Sequence, residues 1–274
     1  MPASCCRTPG LAMSCAPMTP ENSLDTTDDA VLGGRLRLTQ PRRGHRFGHD
    51  GVLLAAATAA RPGEHVVDLG AGVGLAGLAL AARVPELTVT LVDIDPQLVS
   101  LAAENARRNR LEHCVRALAL NATAPARAFA AAGLTPGSAQ RVMMNPPFND
   151  PRRQQRSPDA SRARAHAAGP HLLRAWCKTA TRLLAASGVL TLIWRADGLP
   201  AVLAALGDSF GAITAAPVYP RPQAAAIRVL VSATKSSRAP FGLAPGLILN
   251  NEDGNSSTAA EAVLRQGAAL PMAR

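Results

Sequence analysis

The sequence predicts an α/β fold in which a mainly parallel sheet has helices on both faces, and three observations support this prediction. Short runs of β-branched residues alternate with Ala/Leu-rich helical segments from residue 65 onward. The first of these runs ends in a glycine-rich turn, as expected where a strand passes directly into a helix. The 274-residue chain is 47% hydrophobic, which is ample for a large buried core.

Seven strands are predicted from apolar and β-branched runs. They are expected over 65–69, 88–93, 115–120, 141–144, 189–194, 213–219 and 227–233. The last two should form an antiparallel pair near the sheet edge, and 247–249 can add a short strand. Helices are expected over 74–84, 96–108, 170–184 and 199–206, with a last one from 258. Asp95-Pro96 marks a helix start, because aspartate is a favourable N-cap and proline fits the first helical position.

The region before the first sheet strand is predicted to be an extension of one domain. Residues 1–27 have no apolar period and are expected to be a disordered tail, and residues 28–274 a single domain. Alternating leucines around Gly33-Gly34 predict a short strand or hairpin over 31–40. A basic loop then leads into a helical segment. This loop either faces a ligand or is a solvated connection in which Asp50 caps the helix.

The stretch 65–77 has the sequence of a nucleotide-cofactor loop. A short strand ends in Asp68-Leu69 and is followed by glycines at every second position. Without Cβ atoms, the backbone can approach a ligand beneath the positive end of the next helix.

Two cofactors compete for this loop. Gly72, Gly74 and Gly77 match the dinucleotide pattern G-x-G-x-x-G, and Asp93 lies 21 residues beyond Gly72, where such sites hold a ribose. On that match alone, NAD remains open. A carboxylate of Asp68 at the mouth of the turn would repel a pyrophosphate and attract a cationic amine. S-adenosylmethionine has an ammonium and a sulfonium but no phosphate, so the charge pattern favours it.

The formal net charge of +10 suggests a polyanionic partner, although so Arg-rich and Ala-rich a composition can also reflect genomic base bias. The placement of charge is more informative. Residues 149–168 form a predicted Arg-rich exposed loop, in which Arg152, Arg153 and Arg156 are candidates to hold phosphates. The alternative is a charged loop that is merely solvated.

Several classes of protein are disfavoured. The chain has no uncharged apolar run of about 18 residues, so no membrane helix is expected. Five cysteines without a C-x-x-C pair and six scattered histidines predict neither a metal site nor a disulfide framework. We expect a cytoplasmic protein without a metal.

Asn145-Pro146-Pro147-Phe148 follows the fourth predicted strand, at the edge where parallel sheets bind ligands. Together with the glycine loop and Asp93, this motif resembles the class I S-adenosylmethionine-dependent methyltransferases that have an N-P-P-[FY] signature. Within this class the chain is similar to the tRNA1(Val) adenine-37 N6-methyltransferase group. The segments Phe47 to Leu54 and Ile227 to Val231 also resemble that group.

The resemblance implies a seven-stranded, Rossmann-like class I methyltransferase sheet. It implies that Asp68, Gly70 and Gly72 line the methionine end of the cofactor, that Asp93 holds the ribose, and that Asn121 contacts the adenine. Asn145, Pro146, Pro147 and Phe148 would hold the target amine.

The expected reaction is methylation of an adenine N6 in tRNA. Methylation of ribosomal RNA or of a protein glutamine N5 is the alternative, because the same motif accepts any planar amine or amide. A non-catalytic RNA-binding or cofactor-sensing protein is disfavoured, since Asp68, Asp93 and Asn145 are all present. An NAD oxidoreductase would need a hydride-site acid/base set that the sequence does not show.

Overall fold

The computed structural model describes residues 25–43, 48–147 and 170–272. It begins with a hairpin in which β1 (Thr26–Val31) pairs antiparallel with β2 (Leu36–Pro41). The predicted hairpin is confirmed, but it starts inside the segment expected to be a tail. The threonines and aspartates of β1 give no apolar signal, and the strand forms because its backbone pairs with β2, whose leucines are buried.

The other elements follow the predicted alternation of strand and helix, and the structure adds a short helix over Ala126–Ala131 that was not predicted. The helices are α1 (His49–Ala57), α2 (Leu75–Arg83), α3 (Pro96–Arg108), α4 (Ala126–Ala131), α5 (Pro170–Leu183), α6 (Leu199–Leu206) and α7 (Thr258–Leu264). The strands are β3 (His65–Leu69), β4 (Thr88–Asp93), β5 (Val115–Ala119), β6 (Ala139–Met144), β7 (Leu184–Arg195), β8 (Phe210–Tyr219), β9 (Arg228–Lys235), β10 (Gly242–Leu243) and β11 (Leu247–Ile248). Asp95 caps α3 as predicted, accepting the Gln97 N–H at 2.8 Å.

One sheet of nine strands contains all of these strands. The strand order across the sheet is β10-β8-β9-β7-β6-β3-β4-β5, and β11 also pairs with β8. β3 to β7 are parallel, and β9 lies antiparallel between β7 and β8, which confirms the predicted antiparallel pair. The seven predicted strands are present, and two two-residue strands extend the β8 edge.

Helices cover both faces of the sheet, and alternate residues of one strand point to opposite faces. In β3, Val66 packs in the cluster formed with α1, α2 and α3, whereas Val67 packs in the cluster formed with α4, α5 and α6. In β6, Met143 packs in the first of these clusters and Val142 in the second. Strands buried on both sides explain the continuous apolar runs from which they were predicted.

Candidate active site

The carboxyl ends of three adjacent parallel strands bring Gly70, Asp93 and Asn145 to one edge of the sheet. The last residue of β3 lies opposite the penultimate residue of β4 and the last residue of β6. Gly70 therefore lies between Asp93 on one side and Asn145 on the other. Sequence reasoning placed these residues separately, and the strand order makes them neighbours.

Backbone hydrogen bonds hold the cofactor loop against β4. The Gly70 and Ala71 N–H groups both donate to the Val92 carbonyl oxygen, at 2.8 and 3.0 Å. The Gly74 N–H closes the turn by donating to the Ala71 carbonyl oxygen at 2.9 Å. Gly70, Gly72 and Gly74 all have positive φ, of 73°, 57° and 92°. The turn therefore requires the backbone freedom of glycine.

Gly70 and Gly72 differ in what surrounds them. A Cβ atom on Gly70 would lie 2.5 Å from the ring of Trp176, which α5 packs beneath the loop, whereas a Cβ on Gly72 would meet none of the described residues within 4 Å. Gly70 thus lets α5 approach the loop. Gly72 presents open backbone on which a ligand can lie.

Asp93 has capacity left for a ligand after supporting the loop. Its Oδ2 accepts the Gly72 N–H at 2.8 Å, and its Oδ1 accepts the Asp95 N–H at 3.0 Å. A carboxylate offers about four lone-pair sites, so the described residues leave two of them unused. This fits the expected contact with ribose hydroxyls.

The expectation that Asp68 stands at the mouth of the turn is wrong. Asp68 is 2% exposed and lies beneath the loop, where its Oδ2 accepts the Gly77 N–H from the first turn of α2 at 3.0 Å. Burial raises the pKa of Asp68 to about 7, against the smaller opposing effect of that hydrogen bond. Alternate residues of a strand share a face, so Asp68 points to the same side as Val66, toward α2, and supports the loop from within.

Asn121 lies exposed two residues beyond β5, at the same edge of the sheet. Its Oδ1 accepts hydrogen bonds from the Thr123 N–H and Oγ1–H, both at 2.8 Å, and so stabilises the turn after the strand. The oxygen expected to accept an adenine amine is therefore occupied within the protein. In this conformation, the group available to an adenine is the Nδ2 donor.

Asn145 provides the unpaired polar atom of the site. Its Oδ1 is buried and has no hydrogen-bond partner among the residues that the structure describes. A buried acceptor without a donor is costly, and a donor from a bound ligand would remove this cost. Pro146 and Pro147 follow in a rigid connection that ends the sheet ladder.

Part of the predicted site lies outside the described residues. This concerns Phe148, Arg152, Arg153 and Arg156, and with them the predicted Arg-rich loop over 149–168. Their roles remain predictions.

Sequence reasoning missed an ion pair at the same edge of the molecule. Asp50 Oδ2 accepts from Arg228 Nε at 2.8 Å, which joins the first turn of α1 to the start of β9. Asp50 therefore does not cap the helix, since α1 already begins at His49 after Gly48. A pair separated by 178 positions gives no local signal.

Within 25–43, 48–147 and 170–272, no group of three or more His, Cys, Asp and Glu side chains could hold a metal ion. Over the same residues, no helix is both long and apolar enough to span a membrane.

Comparison with known proteins decides the family of the chain. A family model described as "Methyltransferase small domain" matches residues 50–217, from α1 to β8. The chain belongs to the methyltransferase small-domain family. This membership confirms the predicted enzyme class and supports S-adenosylmethionine as the cofactor. The glycine loop, the free lone pairs of Asp93 and the open backbone at Gly72 fit such a group.

Relatives of this methyltransferase small-domain protein include tRNA1(Val) (adenine(37)-N6)-methyltransferases. One from a Flavobacteriaceae bacterium is 32% identical over 84 residues, which are 31% of this chain and 36% of the relative. Another from Tolumonas auensis is 27% identical over 160 residues, covering 58% of this chain and 63% of the relative. The chain thus matches between a third and two thirds of the length of these two relatives.

Among solved structures, a predicted O-methyltransferase from Agrobacterium tumefaciens has a TM-score of 0.69 and 28% identity. The alignment covers 81% of this chain and 98% of that one. The predicted α/β methyltransferase fold is therefore confirmed.

Proposed function

We propose that this protein transfers the methyl group of S-adenosylmethionine to an exocyclic amine, adenine N6 in tRNA. The buried Asn145 Oδ1 is the main support, because it is an acceptor without a donor among the residues that the structure describes and lies beside the cofactor loop. An amine N–H supplies such a donor. A substrate hydroxyl would instead need a base, and an amide side chain is not one.

The chemistry required of the chain is alignment. The lone pair of adenine N6 is delocalised into the ring, so the nitrogen is a poor nucleophile. Hydrogen bonds from the amine to Asn145 Oδ1 and to the Pro146 carbonyl oxygen would favour tetrahedral geometry and aim the lone pair at the methyl group. Phe148 would stack on the base.

The cofactor supplies the electrophilic methyl group. Asp93 and the loop backbone at Gly72 would hold the cofactor, and on transfer its sulfur would keep the electron pair of the broken S–C bond as the new N–C bond forms. The methylated amine then loses its proton to water or to a carbonyl oxygen. No strong base is required.

Two observations favour tRNA over other amines. Several relatives are named for tRNA adenine-37 N6-methylation, and the net charge of +10 suits a polyanion. A tRNA substrate also agrees with the expected cytoplasmic location. Ribosomal RNA and protein glutamine remain the alternatives, because the Asn145 contact recognises an amine or amide rather than a whole molecule.

The test is incubation of the protein with labelled S-adenosylmethionine and bulk tRNA, followed by nucleoside mass spectrometry. We expect labelled N6-methyladenosine from the native chain. Asn145→Ala should lower turnover by about a hundredfold or more, as expected for loss of a preorganised transition-state contact. Its affinity for S-adenosylhomocysteine, measured by calorimetry, should stay within about twofold, because Asn145 does not support the loop.

Asn145→Asp is the matched variant, since it keeps an oxygen acceptor at this position and should retain more activity than the alanine variant. Undiminished turnover in Asn145→Ala would refute the assigned role. If the label appears in ribosomal RNA or in protein but not in tRNA, the reaction class stands and the tRNA assignment is wrong.

A further inference from the structure

A fully buried asparagine in α3 links the N-terminal hairpin to the cofactor loop. Asn105 is 0% exposed and shares the buried face of α3 with Ala102 and Ala106. Burying an amide costs free energy unless its polar atoms are hydrogen-bonded. Each polar atom of this side chain therefore needs a hydrogen-bond partner.

Both donors and the acceptor of the Asn105 side chain are used. Oδ1 accepts the Thr39 N–H at 2.8 Å, and Nδ2 donates to the Thr39 carbonyl oxygen at 3.0 Å. The amide thus pairs with the outer edge of β2 as another strand would. Nδ2 also donates to the Val73 carbonyl oxygen at 3.0 Å. Val73 lies between Gly72 and Gly74 in the cofactor loop, so one side chain holds both segments.

Asn109, the C-cap residue directly after α3, pairs with β2 in the same way but does not contact the cofactor loop. Its Oδ1 accepts the Arg37 N–H at 3.0 Å, and its Nδ2 donates to the Arg37 carbonyl oxygen at 2.8 Å. Nδ2 also donates to the Asn105 carbonyl oxygen at 2.7 Å. Helix residues four apart rise by about 6 Å and strand residues two apart by about 6.7 Å, so the two asparagines match alternate residues of β2.

We infer that Asn105 is a positioning residue for the cofactor and couples docking of the hairpin on α3 to cofactor binding. By fixing the Val73 carbonyl, it holds the left-handed backbone of the flanking Gly72 and Gly74 in the shape that the cofactor meets. The inference rests on the proposed cofactor site. Coupling between two sites is reciprocal, so the bound cofactor must stabilise the hairpin as the hairpin stabilises the loop.

The first test compares Asn105→Ala with Asn109→Ala in the full chain. Both variants lose two hydrogen bonds to β2, but only Asn105→Ala loses the bond to Val73. We expect Asn105→Ala to weaken S-adenosylhomocysteine binding by about tenfold, within the usual range of coupling between sites, and Asn109→Ala to weaken it by less than about threefold. KM for S-adenosylmethionine should rise in Asn105→Ala, while turnover at saturating cofactor stays near the native value.

Each outcome of this comparison is decisive. Equal weakening in both variants would show that hairpin docking alone matters and would overturn the role of the Val73 contact. Unchanged affinity in Asn105→Ala would overturn the inference while leaving the proposed function intact. If the native chain itself fails to bind S-adenosylhomocysteine, the proposed function fails and this inference fails with it.

A second measurement needs no variant and therefore holds even if Asn105→Ala does not fold. Amide hydrogen exchange of the native chain is followed with and without S-adenosylhomocysteine. Because the Thr39 N–H donates to Asn105, bound cofactor should slow its exchange, and that of β2 as a whole, several-fold. Exchange in α6, which packs in the cluster on the opposite face of the sheet from the hairpin, should not change. Unaltered exchange in β2 at saturating S-adenosylhomocysteine would disprove the coupling.

Discussion

At the scale of single residues, the candidate site depends on three polar side chains with different tasks. Asp93 supports the loop and keeps lone pairs for a ligand, and Asn145 offers an acceptor without a described partner. Asp68 is buried beneath the loop, and its raised pKa means that it changes charge near neutral pH. Stability should therefore depend on pH through this one carboxyl.

The free protein should lose stability as pH rises from about 4 to about 7. The folded pKa of Asp68, about 7, exceeds its ordinary value of 3.8, so in this window the native state binds more protons than the unfolded chain does. The contribution is complete below pH 3.8 and is lost as pH rises through about 7. A shift of this size corresponds to a change on the order of 4 kcal/mol.

Asp68→Asn should abolish this dependence, because the amide cannot ionise and its oxygen can still accept the Gly77 N–H. Urea unfolding of both proteins at a series of pH values measures the effect, with the variant more stable than the native chain at pH 8. Parallel pH profiles for the two proteins would show that Asp68 is not the responsible group.

At the scale of elements, the cofactor loop is shaped by the helices and strands that flank it. Trp176 of α5 packs against Gly70, Asn105 of α3 holds Val73, and the Val92 carbonyl of β4 accepts two loop amides. Three elements distant in sequence thus fix one short turn. Two of its glycines should respond differently to the same substitution.

Gly70→Ala should destabilise the fold, whereas Gly72→Ala should mainly impair cofactor binding. The first variant adds a contact of 2.5 Å with Trp176 to the strain of a positive φ, for a cost of about 2–4 kcal/mol. The second meets no atom within 4 Å in the part of the chain that the structure describes, so only the strain of about 1–2 kcal/mol remains. Its new methyl group instead occupies the open side of the loop.

Chemical denaturation and calorimetry with S-adenosylhomocysteine separate the two effects. The same loss of stability in both variants, with the same loss of affinity, would contradict this division of roles between the two glycines.

At the scale of the whole molecule, distant segments meet at the carboxyl edge of the sheet. Asp50 and Arg228 join α1 to β9, and the hairpin reaches the loop through Asn105. The excess of basic over acidic residues gives the chain its net charge of +10. Charge of this kind acts on a polyanion far more strongly than on a small cofactor.

Affinity for tRNA should therefore fall steeply with salt, while affinity for S-adenosylhomocysteine should change little. Between about 50 and 200 mM salt we expect at least about a tenfold loss for tRNA, because each neutralised phosphate releases counterions. Filter binding and calorimetry over the same salt series make the comparison. A tRNA affinity that does not vary with salt would exclude phosphate contacts as its main source.

The sequence by itself determined the order of the seven main strands and of the helices other than α4, the position of the glycine loop and the edge at which the candidate site lies. It could do so because periodicity, glycine spacing and Asp-Pro capping are local properties of the chain. The start of the hairpin at Thr26 escaped prediction, since its polar residues pair with a strand that only the fold brings close.

Only the tertiary structure decided what the polar side chains do. It turned Asp68 beneath the loop, paired Asp50 with Arg228, and gave Asn105 its two partners. A polar residue on the apolar face of α3 was the one signal that could have indicated Asn105. Its partners lie 66 and 32 positions away, and contacts at such distances depend on how elements pack rather than on local sequence.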